Sequence, residues 1–145
     1  MPRLSSLTVA AAAVLMLFGA GAASARNIDA IKKSGTIIVA TEGQYAPFNF
    51  FEGSKLTGFE VELMEGVAKK MGLKIEWKTL GFDALLTGLG QDRWDVVIAS
   101  HGITEERAKA VTFTNPHYCS GGAIVTKNPD LKTAERLAGK VLAVR

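Results

Sequence analysis

Cysteine is almost absent. One Cys119 in 145 residues excludes an internal disulfide framework and leaves a single thiol that is either buried or reactive. Histidine is as scarce, with His101 and His117 the only two. His117 and Cys119 make a poor metal set, because two or three ligands from one extended segment do not close a tetrahedral shell. A surplus of charge is lacking too: 17 Lys and Arg stand against 14 Asp and Glu, too even a balance for a nucleic-acid footprint. Long apolar runs are confined to the N-terminus. No later stretch approaches the ~20 apolar residues that a bilayer span needs, so the rest of the chain is expected to be soluble.

The N-terminal run reads as a secretory leader, residues 1–25. Arg3 supplies the positive start, Leu7 to Ala20 is uncharged and rich in Ala, Leu and Val, and Ala23-Ser24-Ala25 fits a small-x-small cleavage site. Cleavage after Ala25 makes Arg26 the new N-terminus. It also removes Arg3, which lowers the formal net charge of +3 by one.

Strand and helix signals then alternate. Asn27 to Ser34 reads as a short helix ended near Gly35, and the β-branched run Thr36 to Ala40 as a core strand. The following loop, Thr41 to Phe50, holds a Pro, a Gly and three aromatics and is neither helix nor ordinary strand. It lies where open α/β sheets gather ligands, at the carboxyl end of a strand. There Tyr45 offers a flat wall or a stacking face, while Phe48 and Phe50 suit anchoring the loop to the core. Phe50 to Thr57 reads as two short extended pieces around a polar turn.

Phe59, Leu63, Val67 and Met71, with Met64 and Ala68, mark an amphipathic helix whose other positions carry Glu60, Glu62, Glu65 and Lys69; Gly72 stops it. Leu73 to Thr79 alternates as a strand, and Phe82, Leu85, Leu86 and Leu89 predict a helix ending at Gly90. This alternation implies a mainly parallel sheet flanked by helices. Beyond residue 113 the pattern predicts an extended piece over 118–126, a short helix over 133–138 and a strand over 141–144.

The most informative stretch is Asp95-Val-Val-Ile-Ala-Ser-His-Gly-Ile-Thr-Glu-Glu-Arg107. Val96 to Ala99 reads as a buried strand. The small residues Ser100 and Gly102 follow, and Thr104-Glu-Glu-Arg107 looks like a capped helix start. A strand feeding such a junction exposes backbone N–H groups. Arg107 adds a planar fork able to hold a carboxylate through two parallel hydrogen bonds. The alternative for Arg107 is a solvated side chain paired with its Glu neighbours.

The motifs Thr41-Glu42-x-x-Tyr45-Ala-Pro47-Phe48, Gly58-Phe59-Glu60-Val61-Glu62-Leu63, Phe82-Asp83-Ala84-Leu85 and Asp95 through Arg107 occur in one order. In this the chain resembles the N-terminal part of extracytoplasmic solute-binding proteins of the amino-acid type (family 3), the substrate-capturing partners of ABC importers. The resemblance implies a periplasmic-binding-protein-like (type II) α/β fold whose two lobes close on one small ligand, here with the second lobe largely missing. By motif position it implies that Arg107 grips an α-carboxylate and that Tyr45 and Phe82 sandwich the ligand. Ser100 and Gly102 would contact its carboxylate and amino ends, and Glu42 its side chain. Gly102 departs from the Ser or Thr often found there, and His101 and Cys119 are atypical.

The resemblance further implies a periplasmic or secreted protein with an amino-acid-like ligand, a membrane permease complex as partner, no cofactor and no catalysis. Residues 26–120 would form the first lobe and 121–145 the crossover into a second. One lobe alone is expected to bind weakly, since closure supplies ligand burial; its open sheet edge and half-covered core predict poor solubility. An enzyme on the same fold, lyase-like, is the competing reading, and a ligand-sensing domain is another. A Cys–His nucleophile needs its partners within ~3 Å, whereas His117 and Cys119 sit two apart on an extended segment, ~7 Å from each other.

Overall fold

The structure, a computed structural model, describes residues 26–143; the expected leader over 1–25 lies outside the described residues. The chain divides into two compact units between Thr112 and Phe113.

In the first unit, helix α1 (Ile28–Ser34) starts on Asn27, whose side chain accepts from the Ala30 amide, and stops at Gly35 in the left-handed conformation. Strand β1 (Thr36–Thr41) is flanked in parallel by β5 (Lys74–Thr79) and β6 (Val96–Val97), giving the order β5-β1-β6. Thr36 lies opposite Lys74, and Val39 opposite Val96. Parallel neighbours need crossovers. Helices α2 (Phe59–Met71) and α3 (Phe82–Gly90) supply them. A three-stranded antiparallel sheet of β2 (Gln44–Tyr45), β3 (Asn49–Glu52) and β4 (Lys55–Thr57) is inserted between β1 and α2. The unit closes with α4 (Glu105–Ala110).

The central strand is buried on both faces, as a parallel strand under two helical layers must be. Ile37 and Val39 join Ile31, Met64, Ala68, Leu73 and Ile98. Ala40 joins Leu85, Trp94 and Ala99. Asp95 fastens the edge: its carboxylate accepts from the Ile38 amide at 2.7 Å and from Arg26 Nε at 2.9 Å, with a second bond from Arg26 Nη2.

Four expectations need correction. The inward face of α2 is not the stripe of Phe59, Leu63 and Val67, which are 45%, 36% and 40% exposed. Met64 and Ala68 of the expected apolar set do turn inward, joined by Val61 and by Glu60, which is 0% exposed. Two apolar stripes compete on this helix, and hydrogen-bond donors facing Glu60 decide which turns inward. The strand expected over 96–99 is cut to Val96–Val97, because β1, its pairing partner, ends at Thr41 and Ile98 makes only one further bond, from its amide to Ala40 O.

The second unit accounts for the other two. It contains one short 3-10 turn, Ala134–Leu137, in place of the helix expected over 133–138. The strand expected over 141–144 is absent from its described residues, 141–143. Val125 and Val141 are fully exposed there; an apolar run becomes a strand only where a sheet edge receives it. Residue 144 lies outside the described residues. Cys119 is an exposed free thiol.

Candidate functional site

The site forms at the carboxyl ends of β1 and β6, where the chain leaves the sheet. After β6, Ser100 takes a left-handed conformation with φ of 53°, unusual for a residue with a side chain. Its amide donates to Glu60 Oε1 at 2.7 Å and its hydroxyl to the same oxygen at 3.1 Å. The turn brings His101 flat onto Phe82, the first residue of α3, with ring centroids 4.0 Å apart and planes 9° from parallel. Arg107 Cζ lies 5.5 Å from the centroid of the same Phe82 ring. Its Nη1 donates to the Gly102 carbonyl at 3.0 Å, and its backbone amide donates to the capping Thr104 Oγ1 at 3.2 Å.

Phe82, His101, Gly102 and Arg107 are therefore one contiguous group, and Ser100 is joined to it through the chain. Arg107 is half-buried, held by an aromatic face and a carbonyl with most of its fork uncommitted among the described residues. That arrangement suits a carboxylate. The cap at Thr104 is as the sequence predicts. The helix behind it is only six residues long, and so few aligned peptide units make a weak dipole. The positive charge at this junction is therefore the guanidinium's.

The second expected wall is built separately. Tyr45 in β2 stacks on Phe48 at 5.2 Å and 18°, and Phe48 meets Phe59 edge-on at 6.4 Å. This aromatic row fixes the 45–48 turn. Glu42 lines a cavity of about 290 Å³ with Gly43, Gln44, Phe51, Thr79, Leu80 and Gly81, next to Phe82 in the chain. Ala25 lies outside the described residues, while Arg26 is held on Asp95.

Sequence reasoning overlooks two residues. Glu60 stands among the polar positions of α2, yet it links the loops after β1 and β6. His101 stands out in the sequence only as scarce and atypical; its ring covers one face of Phe82, and its Nδ1 is buried without a hydrogen-bond partner among the described residues.

Burial first, and then the Arg107 guanidinium, push the His101 imidazole from 6.5 down to about 4, while Glu60 pulls the other way. The folded value lies below the unfolded one. The unfolded chain therefore binds the extra proton as pH falls from 6.5 to about 4, and stability is lost through that window. Screening at a partly exposed ring reduces the expected loss to about 1 kcal/mol at about pH 5. Urea unfolding at neutral pH and at about pH 5 should show wild type losing that much more than His101→Leu; equal losses would contradict it.

Comparisons with known proteins agree with this architecture. Residues 37–137 match the family model of bacterial extracellular solute-binding proteins, family 3. A probable amino-acid ABC transporter-binding protein of Haemophilus influenzae is 46% identical over 115 residues, covering 77% of this chain and 45% of that protein. The L-cystine-binding protein TcyJ of Escherichia coli is 40% identical over 121 residues, 81% of this chain and 46% of its own length. The chain thus spans about half the length of the curated relatives it matches. Among solved structures, a point mutant of domain 1 from TmArgBP, the T. maritima protein, in its arginine-bound form superposes with a TM-score of 0.63 at 34% identity. It covers 66% of this chain and 75% of that one. The α/β lobe is periplasmic-binding-protein-like, and the chain belongs to the bacterial extracellular solute-binding proteins, family 3.

Proposed function

We propose that this chain is the ligand-capturing part of an extracytoplasmic binding protein serving an ABC importer, and that its ligand is an amino acid held by the α-carboxylate. One observation carries the reading: the Arg107 guanidinium is steadied by the Phe82 ring and the Gly102 carbonyl at the carboxyl end of β6. A guanidinium fork so placed takes a carboxylate through two parallel bonds. The Gly102 amide and the Ser100 hydroxyl serve the carboxylate and ammonium ends. Tyr45 and Phe82, the latter backed on one face by His101, form the walls around the ligand, and Glu42 meets its side chain.

Residues 26–120 are the body of this first ligand-holding lobe, and 121–145 lead onward. The leader directs the chain out of the cytoplasm, to a periplasmic or secreted location, and Ala25–Arg26 is the processing point. Among the described residues no helix is long and apolar enough to cross a membrane. The partner is the permease complex, and the ligand leaves unchanged. Relatives named for binding an amino acid or for an ABC transporter support capture without turnover.

A thermal-shift screen over the amino acids tests the reading, each responder being repeated as its decarboxylated amine. The expected result is a melting shift with the acid and none with the amine. An equal response to both would overturn the carboxylate grip.

A further inference from the structure

We propose that Glu60 is a positioning residue that ties the two ligand-facing loops into one hydrogen-bonded unit and so sets the aim of Ser100, Gly102 and Arg107. The inference rests on the function proposed above and assigns the control of that site's geometry.

Glu60 lies in the first turn of α2, a position that favours a carboxylate. It is fully buried. Its Oε2 accepts from Asn49 Nδ2 at 2.6 Å, and Asn49 Oδ1 accepts from the Gly43 amide at 2.8 Å. Its Oε1 accepts from the Ser100 amide and hydroxyl. A single carboxylate therefore joins the loop that carries Glu42 and Tyr45 to the loop that carries His101 and Gly102.

An apolar residue of this size would fill the core without the cost of desolvating a charge. What the carboxylate adds is direction. Ser100 must hold a left-handed turn that its side chain disfavours, and both of its donors converge on Glu60 Oε1. The same turn lays His101 on Phe82 and brings the Gly102 carbonyl to Arg107. Releasing Ser100 lets that segment relax, and the guanidinium loses its fixed address.

The donor pattern gives a sharp test. In Glu60→Gln the shape is kept, but one acceptor becomes an NH₂ group facing a donor, either Asn49 Nδ2 or the Ser100 amide. Combining it with Asn49→Asp restores complementarity. The carboxylate introduced at position 49 accepts both from the Gly43 amide and from the new NH₂ group at position 60, whose carbonyl oxygen still accepts from Ser100. Affinity for an amino acid that shifts the wild type should fall about tenfold or more in Glu60→Gln and return to within about threefold in the double variant. Wild-type affinity in the single variant, or no recovery in a folded double variant, would overturn the proposal.

Amide hydrogen exchange at Gly43 and Ser100, measured without ligand, separates this from the functional reading. Protection lost in the single variant and regained in the double supports Glu60 even if no amino acid binds the wild type. Unchanged protection overturns it. Should Glu60→Gln fail to fold, the double variant decides: recovery of folding and protection supports the pairing, and a double variant that also fails to fold overturns it in favour of a purely structural charge.

Discussion

Arg107→Ala is expected to lower affinity for a responding amino acid by about 100-fold or more while leaving the melting temperature of the unliganded chain almost unchanged. The two halves of this result have different origins. Arg107 sits on the short α4, half-buried, and it bonds to the Gly102 carbonyl and, through its backbone amide, to Thr104. Removing the side chain opens no core cavity, so stability has little to lose. The ligand's carboxylate, by contrast, loses the charged fork and keeps only neutral donors. Arg107→Lys should fall between, at about tenfold, because an ammonium keeps the charge but not the two parallel bonds. Calorimetric titration of the three proteins checks the order. Equal affinities across the series would show that the carboxylate is held elsewhere.

Gly58→Ala is expected to cost about 3 kcal/mol or more of stability and to remove ligand binding with it. Gly58 has φ of 118° and ψ of 171°, a region essentially closed to other residues. A Cβ there would also lie 2.4 Å from the Phe48 carbonyl oxygen and 2.8 Å from that of Pro47. These are backbone atoms, so no side chain can swing aside. The same carbonyls accept from the first amides of α2, Phe59 to Pro47 at 3.1 Å and Glu60 to Phe48 at 2.9 Å. Relief of the clash therefore moves the turn that carries Tyr45 and Asn49 away from Glu60. Chemical denaturation of Gly58→Ala reads the loss directly; a change below about 1 kcal/mol would mean that the turn gives way without cost.

Gly58 also shows where sequence patterns stop being informative. Elements set by local chemistry are legible. Asn27 and Gly35 bracket α1, Gly72 ends α2 in the left-handed conformation, and Thr104 caps α4. The β-branched run in β1 and the helical spacing around Leu85 foretell the two-faced core. The facing of α2 is not legible, because Phe59, Leu63 and Val67 make a cleaner apolar stripe than the residues that turn inward. Only tertiary partners, Asn49 and Ser100, explain why a glutamate takes the buried position. His101 is equally obscure, since stacking on Phe82 depends on the turn at Ser100 and no spacing rule encodes it. Beyond Thr112 the apolar runs resemble strands, yet a strand needs a sheet edge to receive it, and the short 3-10 turn is the one regular element among the described residues of that unit.

The claim at the centre is that one carboxylate is received between the Ser100–Arg107 loop and the Phe82 ring. Backbone amide and arginine Nε resonances of ¹⁵N-labelled protein, followed during titration with a responding amino acid, report this most directly. The expected result is that the Ser100 and Gly102 amides, Arg107 Nε and residues flanking Phe82 shift together along one binding curve. Shifts confined to residues away from this loop, with Arg107 and Gly102 silent, would contradict it.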